Sequence, residues 1–269
     1  MNAVEITGLS HVYGTTRAVR DVSLSIPAGA FVSVVGPSGC GKSTLLKVMA
    51  GLLVPQRGSV TVAGRPVIGG GSWARPGATV GYMAQRDLLL PWKRVLDNAC
   101  LGAVIGGADR AATRDRALGL LDRFGLTGFE RAWPSQLSGG MRQRLALLRT
   151  HLTDAPVMAL DEPFGALDAI TRRDLQDWMQ HLWVTDRGTR SALLITHDVE
   201  EALYLSDTVY VMSARPGTLI GSVTNPARRP RDPSLVTDPD FVARKTELLA
   251  LLDAGRGAAG PTAPWGRFT

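Results

Sequence analysis

Cysteine is nearly absent: Cys40 and Cys100 are the only two among 269 residues. Two thiols without metal-ligand spacing exclude a disulfide framework and a zinc module, and they fit a reducing compartment. Aromatic residues are scarce at 6%, and no aromatic RNA-binding motif occurs. No stretch approaches the roughly 18 uninterrupted apolar residues of a membrane span, so no transmembrane helix is expected. The opening Met1-Asn2-Ala3-Val4-Glu5 lacks the basic and apolar regions of a signal peptide, and a cytosolic chain is expected. Lysine is also rare, 4 against 26 arginines, so arginine carries the net charge of +6. The arginines are scattered, with one tight cluster at Arg228-Arg229-Pro230-Arg231. This distribution reads as a solvated basic surface with some membrane proximity and argues against a nucleic-acid partner. The 45% hydrophobic composition suits one large or two small domains with a proper core.

What is present centres on Gly36-Pro37-Ser38-Gly39-Cys40-Gly41-Lys42-Ser43-Thr44. It follows the apolar run Phe31-Val32-Ser33-Val34-Val35 and precedes the helical run Leu45-Leu46-Lys47-Val48-Met49-Ala50. Strand, glycine loop and helix form the context of a phosphate-binding P-loop. Gly36, Gly39 and Gly41 let successive backbone N–H groups turn inward as an anion nest. The helix adds its positive N-terminal end. Lys42 would reach the β- and γ-phosphates of a nucleotide, and the Ser43 hydroxyl would hold Mg²⁺. With 30 Gly, 4 Lys and 36 Ser plus Thr, an accidental match is expected in fewer than about one such chain in a hundred. Cys40 lies inside this loop, so its alkylation is expected to block nucleotide chemistry.

Around the loop the chain reads as α/β. Val4-Glu5-Ile6-Thr7-Gly8-Leu9 and 22–26 alternate as strands. Tyr13 suits either strand-edge packing or stacking on a nucleotide base, and spacing alone does not choose between them. Residues 59–64 form a short strand, and Gly69-Gly70-Gly71-Ser72 has the composition of a flexible surface excursion. Residues 78–84 form a strand that runs into Gln85. From 86 to 155 helical patterns dominate, over 95–105, 110–124 and 141–152, as a helical insertion in the α/β frame. Inside it, Ser138-Gly139-Gly140 offers a helix N-cap with bare backbone N–H groups, either a simple cap or a second anion-binding helix end.

Val157-Met158-Ala159-Leu160-Asp161-Glu162 is an apolar strand ending in two carboxylates. Beside a P-loop, the first acid can serve the Mg²⁺ shell and the second can orient and deprotonate an attacking water. Residues 168–186 form a core-packed helix. His197 follows the buried strand 191–196, at the edge where parallel sheets carry their ligands. Strands are expected over 208–212 and 218–223, and a helix over 240–252. The Gly/Ala/Pro-rich stretch 254–269 is expected to be disordered.

With Leu137-Ser138-Gly139-Gly140-Met141 added, the chain resembles the ATP-binding subunit of an ABC transporter over about residues 1–223. Gly36 to Thr44 matches the Walker A motif and Gln85 the Q-loop. Leu137 to Met141 matches the family signature, residues 157–161 Walker B, and Ala166-Leu167-Asp168 the D-loop. Tyr13 falls where the family has its adenine-stacking aromatic. The resemblance implies a RecA-like core, an antiparallel β subdomain and the helical insertion, with the ATPase unit over 1–225 and a C-terminal extension over 226–269. It also implies ATP and Mg²⁺ as ligands, with Ser43, Gln85 and Asp161 around the metal and the loop from Gly36 to Thr44 around the phosphates. Glu162 takes the place of the catalytic glutamate and His197 that of the switch histidine, while Asp168 communicates across a dimer. A second, head-to-tail copy would supply Ser138, Gly139 and Gly140 to the γ-phosphate. The family places such a subunit on the cytoplasmic side of the membrane, bound to permease subunits and served by an extracytoplasmic solute-binding protein.

The segments Leu88-Leu89-Leu90-Pro91-Trp92, 161–172 and 196–202 look like the nitrate/sulfonate/taurine branch of bacterial importers. Relatives with this cassette also import pyrimidine precursors of thiamine. An exporter cassette would commonly be fused to membrane helices. Among non-transport cassettes, DNA-repair types need a coiled coil splitting the cassette, and translation types need a second Walker A. An unrelated P-loop kinase would not account for Leu137 to Met141.

Overall fold

The computed structural model describes residues 1–67, 79–185 and 190–257. In chain order these form β1 (Asn2–Tyr13), β2 (Thr16–Pro27), β3 (Phe31–Val35), α1 (Lys42–Met49), β4 (Arg57–Val62), β5 (Arg65–Pro66) and β6 (Val80–Met83). There follow α2 (Val95–Ile105), α3 (Arg110–Leu120), α4 (Gly139–His151), β7 (Val157–Asp161), α5 (Ala169–Thr185) and β8 (Ser191–Ile195). The chain closes with α6 (Val199–Leu205), β9 (Thr208–Met212), β10 (Leu219–Thr224) and α7 (Pro239–Gly257). The glycine run 69–72 lies outside the described residues. No described helix is long and apolar enough to cross a membrane.

Two sheets share the work. An antiparallel sheet runs β2-β1-β4-β5, and a six-stranded sheet runs β10-β9-β3-β8-β7-β6. The second sheet is parallel except where β10 pairs antiparallel to β9. Its central strands are wholly buried, as continuous apolar runs in a doubly covered sheet must be. The pleat sorts their side chains. Val32, Val34, Val157, Ala159, Leu193 and Ile195 join α1 and the antiparallel sheet in one core. Phe31, Val35, Met158, Leu160, Ala192 and Leu194 join the helices on the other face. The P-loop helix is thus sandwiched between two sheets. Each buried Val, Leu or Ile contributes about 1.5–3 kcal/mol to holding it there.

Three expectations change. The helical pattern expected over 110–124 stops at Leu120; Phe124 is buried after a turn closed by Gly125 N–H donating to Asp122 O at 2.8 Å. The last helix runs on to Gly257, so residues 254–257 are ordered helix. It is anchored by buried Phe241 and Leu248 and by a bond from Ala214 N–H to Gly255 O at 3.2 Å. The tail from residue 258 lies outside the described residues.

The third concerns the arginine cluster, which is not simply a basic surface. Arg231 is 4% exposed, and its Nη1 donates to Tyr204 O at 2.8 Å and Ser206 O at 2.9 Å. Arg229 donates to Gln180 Oε1 at 3.0 Å, to Leu205 O, and to Asp207 Oδ1 at 2.9 Å. The two guanidiniums take up the orphan carbonyls at the C-terminal end of α6. Burial pulls the Arg231 guanidinium down to about 10, still charged at neutral pH. Only Arg228 of the three is exposed. Removing one partner of such a buried charge cluster costs about 3–5 kcal/mol, so Arg231→Ala should lower the free energy of unfolding by about 3 kcal/mol. Arg228→Ala should stay within about 0.5 kcal/mol of the parent. Denaturant titration of the two variants side by side checks this; equal effects would refute the assignment.

Candidate nucleotide-binding site

The loop from Gly36 to Gly41 leaves β3 and turns into α1. Gly41 sits at φ 104° as the residue before the helix, and a Cβ there would lie 2.5 Å from Val19 Cγ1 and 2.8 Å from Ala18 O. Only glycine fits that turn. The Lys42 ammonium folds back over the loop, donating to Gly36 O at 2.7 Å and Pro37 O at 2.9 Å. The N-terminal end of α1 therefore opens, with a buried cation, on a cavity of about 570 Å³. Ser38, Gly39, Gly41, Ser43 and Thr44 line its floor. Tyr13, 47% exposed, borders it from the end of β1 and meets His11 edge-on at 4.5 Å. Gln85 and Glu162 border it as well.

Cys40 is placed differently from its neighbours. Its side chain is 1% exposed and packs with the core beneath the loop. Burial pushes its thiol up, with the Lys42 ammonium pulling the other way. The thiol is neither open to the cavity nor ready to ionise. Alkylation of the thiol would therefore need the core beneath the loop to open first, although the Cys40 backbone keeps its place in the loop.

The two acids divide between core and cavity. Asp161 is 3% exposed and accepts a hydrogen bond from Ser43 Oγ at 3.2 Å. Burial holds its carboxyl above the usual range against the pull of Ser43 and the two lysines of α1, with Glu162 adding to the rise. The same carboxylate, after burial, helps push the Tyr82 phenol up to about 12. Glu162 lies just past β7 with φ 50°, a conformation that costs a non-glycine residue about 1–3 kcal/mol and clusters at functional sites. The turn is held by Glu162 N–H donating to Ile195 O at 2.8 Å and by Gly165 N–H donating to Glu162 O at 3.2 Å. The carboxylate then stands between two candidate residues. Gln85 Nε2 donates to Oε2 at 3.1 Å, and His197 Nδ1 lies 3.5 Å from Oε1.

Asp168, Ser138, Gly139 and Gly140 are not brought to this cavity. Asp168 is exposed and accepts from Thr171 N–H at 3.0 Å ahead of α5. Ser138 caps α4, accepting from Met141 N–H at 3.2 Å, and Ser138 and Gly139 face outward. Within one chain they serve as a helix start. Three cavity residues have no counterpart among the sequence-derived site residues: Thr16 and Ala18 from β2, and Arg215, which reaches in from the β9–β10 turn with no local motif to mark it.

Behind His197, Asp198 caps α6 by accepting from the N–H groups of Glu200 and Glu201. The buried Glu201 carboxyl is raised to about 7 by burial, with Thr196 and Gln176 bonding to it. The folded state therefore holds a proton that the unfolded chain releases near pH 4.5, and this contribution to stability fades as pH rises through 7. Glu201→Gln mimics the protonated side chain. It should be more stable than the parent by about 2–4 kcal/mol at pH 8 and equal to it at pH 4.5, in denaturant melts at both pH values. Cys40 yields a second expectation: iodoacetamide should label it at the rate of local unfolding, faster in denaturant and slower with ATP, which binds only the closed loop. Rapid labelling in native buffer would refute its burial.

Comparisons with known proteins agree with this geometry. The ABC transporter family model matches residues 19–165. The chain is 40% identical over 256 residues to the taurine import ATP-binding protein of Yersinia pestis bv. Antiqua, covering 91% of this chain and 95% of that one. It is 44% identical over 246 residues to an aliphatic sulfonates import ATP-binding protein of Rhodococcus jostii, covering 91% of each. Its fold is similar to the solved dimer of the ATP-binding cassette MJ0796 in a post-hydrolysis state with ADP and Pi. That match has TM-score 0.75 and 26% identity, and covers 84% of this chain and 100% of that chain. A strand–P-loop–helix beside a carboxylate-tipped strand, within a sequence matched this far along its length, identifies the chain as a member of the ABC transporter family.

Proposed function

We propose that the chain is the ATP-hydrolysing subunit of an importer for taurine- or sulfonate-type small anions. The observation that carries the hydrolytic reading is the Glu162 carboxylate, bordered by Gln85 and His197 beside the P-loop cavity. ATP would lie with its phosphates on the N-terminal end of α1 and its base toward Tyr13. Lys42, held over the loop, would need only to exchange carbonyl partners for phosphate oxygens. Glu162 would accept a hydrogen bond from the attacking water and take its proton. His197 and Gln85 would hold that carboxylate in line.

The residues fit Mg²⁺. Asp161 is a buried carboxylate whose charged form is disfavoured, and its neighbour Ser43 offers a hydroxyl oxygen, both oxygen donors of the kind Mg²⁺ takes. Ser43, Asp161 and Gln85 would hold it, and its charge would neutralise phosphate oxygens during transfer.

The outward-facing Ser138-Gly139-Gly140 supports a head-to-tail dimer, in which the exposed start of α4 from one copy closes the nucleotide of the other. Asp168, also exposed, would lie along that contact. The ATPase unit would span 1–225 with its helical part over 86–155, followed by the extension 226–269. Permease subunits would dock beside the segment after Gln85, where Leu88 and Trp92 are exposed. The subunit would then work at the cytoplasmic membrane face, and a solute-binding protein would deliver the anion. The taurine and sulfonate names of the relatives support that choice of solute.

Glu162→Gln should trap an ATP-bound dimer and slow turnover at least about 100-fold. Size-exclusion chromatography with ATP and a phosphate-release assay check both effects. A variant that stays monomeric and hydrolyses ATP normally would refute the role. Vesicles holding the subunit with its neighbouring permease and binding protein should take up taurine or an alkanesulfonate only when ATP is inside. Uptake of a thiamine pyrimidine precursor alone would keep the machine and discard the anion.

A further inference from the structure

The turn between β9 and β10 is built against the P-loop from three sides. Gly217 N–H donates to Ala18 O at 3.0 Å and Arg20 N–H donates to Gly217 O at 2.9 Å, which fixes the turn to β2. Gly217 lies so close beneath the loop that a Cβ there would fall 2.0 Å from Cys40 O. Ala214 N–H is held by the end of α7 through Gly255 O. The residue presented by this fixed turn is Arg215. Its Nε and Nη2 donate to Gly39 O at 3.0 and 2.9 Å, and the side chain lines the same cavity as Ser38, Lys42 and Tyr13. The guanidinium is exposed, and among the described residues its Nη1 group has no hydrogen bond and no carboxylate pairs with it.

Two physical consequences follow from that placement. An anion nest works only while the loop's carbonyls point away from the anion, and Arg215 holds the Gly39 carbonyl by a forked pair of hydrogen bonds. It also brings an arginine charge to the rim of a cavity whose floor has Lys42 as its cation. We propose that Arg215 is a nucleotide-binding residue, pinning Gly39 and offering its free Nη1 group to the polyphosphate alongside Lys42. This rests on the reading of the cavity as the ATP site.

The test is competition against a fluorescent ATP analogue, with ATP, ADP and adenosine as competitors, for the full chain and for Arg215→Gln and Arg215→Lys. Glutamine can still bond to Gly39 O but carries no charge. Loss of a charge-assisted bond should weaken ATP and ADP about tenfold in Arg215→Gln. Arg215→Lys should stay within about threefold of the parent, because a point charge still reaches phosphate. Adenosine should compete equally well in all three proteins. ATP binding to Arg215→Gln within twofold of the parent would overturn the proposal. So would adenosine weakened as much as ATP, which would mark a distorted cavity and not a lost charge. Failure of the parent chain itself to bind ATP or ADP would instead overturn the nucleotide reading on which the proposal rests.

Discussion

Val34 on β3 pairs with Ile195 on β8, and Ile195 pairs in turn with Asp161 on β7. That parallel register brings the three strands to the same level at one edge of the sheet. The phosphate loop, Asp161, Glu162 and His197 all hang from it. Two residues beyond Val34 the glycine loop begins, two beyond Ile195 stands His197, and one beyond Asp161 stands Glu162. The pleat then sends Asp161 toward α1, where Ser43 meets it. A slip of one residue in β7 would turn Asp161 to the opposite face and Glu162 into the core. The strands are apolar toward both faces, so the fit of their side chains to two separate close-packed cores opposes such a slip. Packing, not any bond within the site, therefore sets the distance between the phosphate loop and the two carboxylates.

The register needs support at the other end of the molecule, and the C-terminal residues supply it. Arg229 and Arg231 close the end of α6, the helix that Asp198 opens directly after His197. The half-buried Asp207 carboxylate accepts from both arginines and from Phe31 N–H at the start of β3. One acid thus joins the first residue of the P-loop strand to the segment beyond β10. The last helix, through Gly255 and Ala214, steadies the turn that carries Arg215. Residues 226–257 thus pack against the elements that carry the nucleotide site.

This division also explains what could be read from the sequence. The strand–loop–helix order, the acid-tipped strand and the residue after β8 are local patterns, and each was legible because its geometry is set by neighbours in the chain. Arg215 was not legible, since its partner Gly39 is 176 residues away. The inward turn of Cys40 depends on the core beneath the loop. The arginine cluster looked like surface because sequence shows charge and not the carbonyls waiting at the end of α6. Residues 254–257 looked disordered on composition, yet tertiary packing overrides weak helix propensity when a helix end has a turn to hold.

The same reasoning links the Glu162 carboxylate to the exposed start of α4. Gln85 is bonded to Glu162, and two residues later Asp87 Oδ2 accepts from Arg142 Nε at 3.1 Å. Arg142 also donates to Leu137 O at 2.8 Å, the carbonyl just before Ser138. From the far end of α4, Arg149 donates to Asp87 O at 2.6 Å and Leu88 O at 2.8 Å. The segment 85–88 is therefore held at one end by Glu162 and along its length by the helix that opens at Gly139. In the proposed dimer, loss of the γ-phosphate beside Glu162 would free Gln85, and the bonds through Asp87 and Arg142 would carry that change to the start of α4. Exposed Leu88 lies on this segment and exposed Trp92 four residues beyond it, so a permease docked there and a second copy at the start of α4 would be coupled through the same bonds. In that proposed arrangement a single chain would hold half of each ATP site and one complete linkage between them.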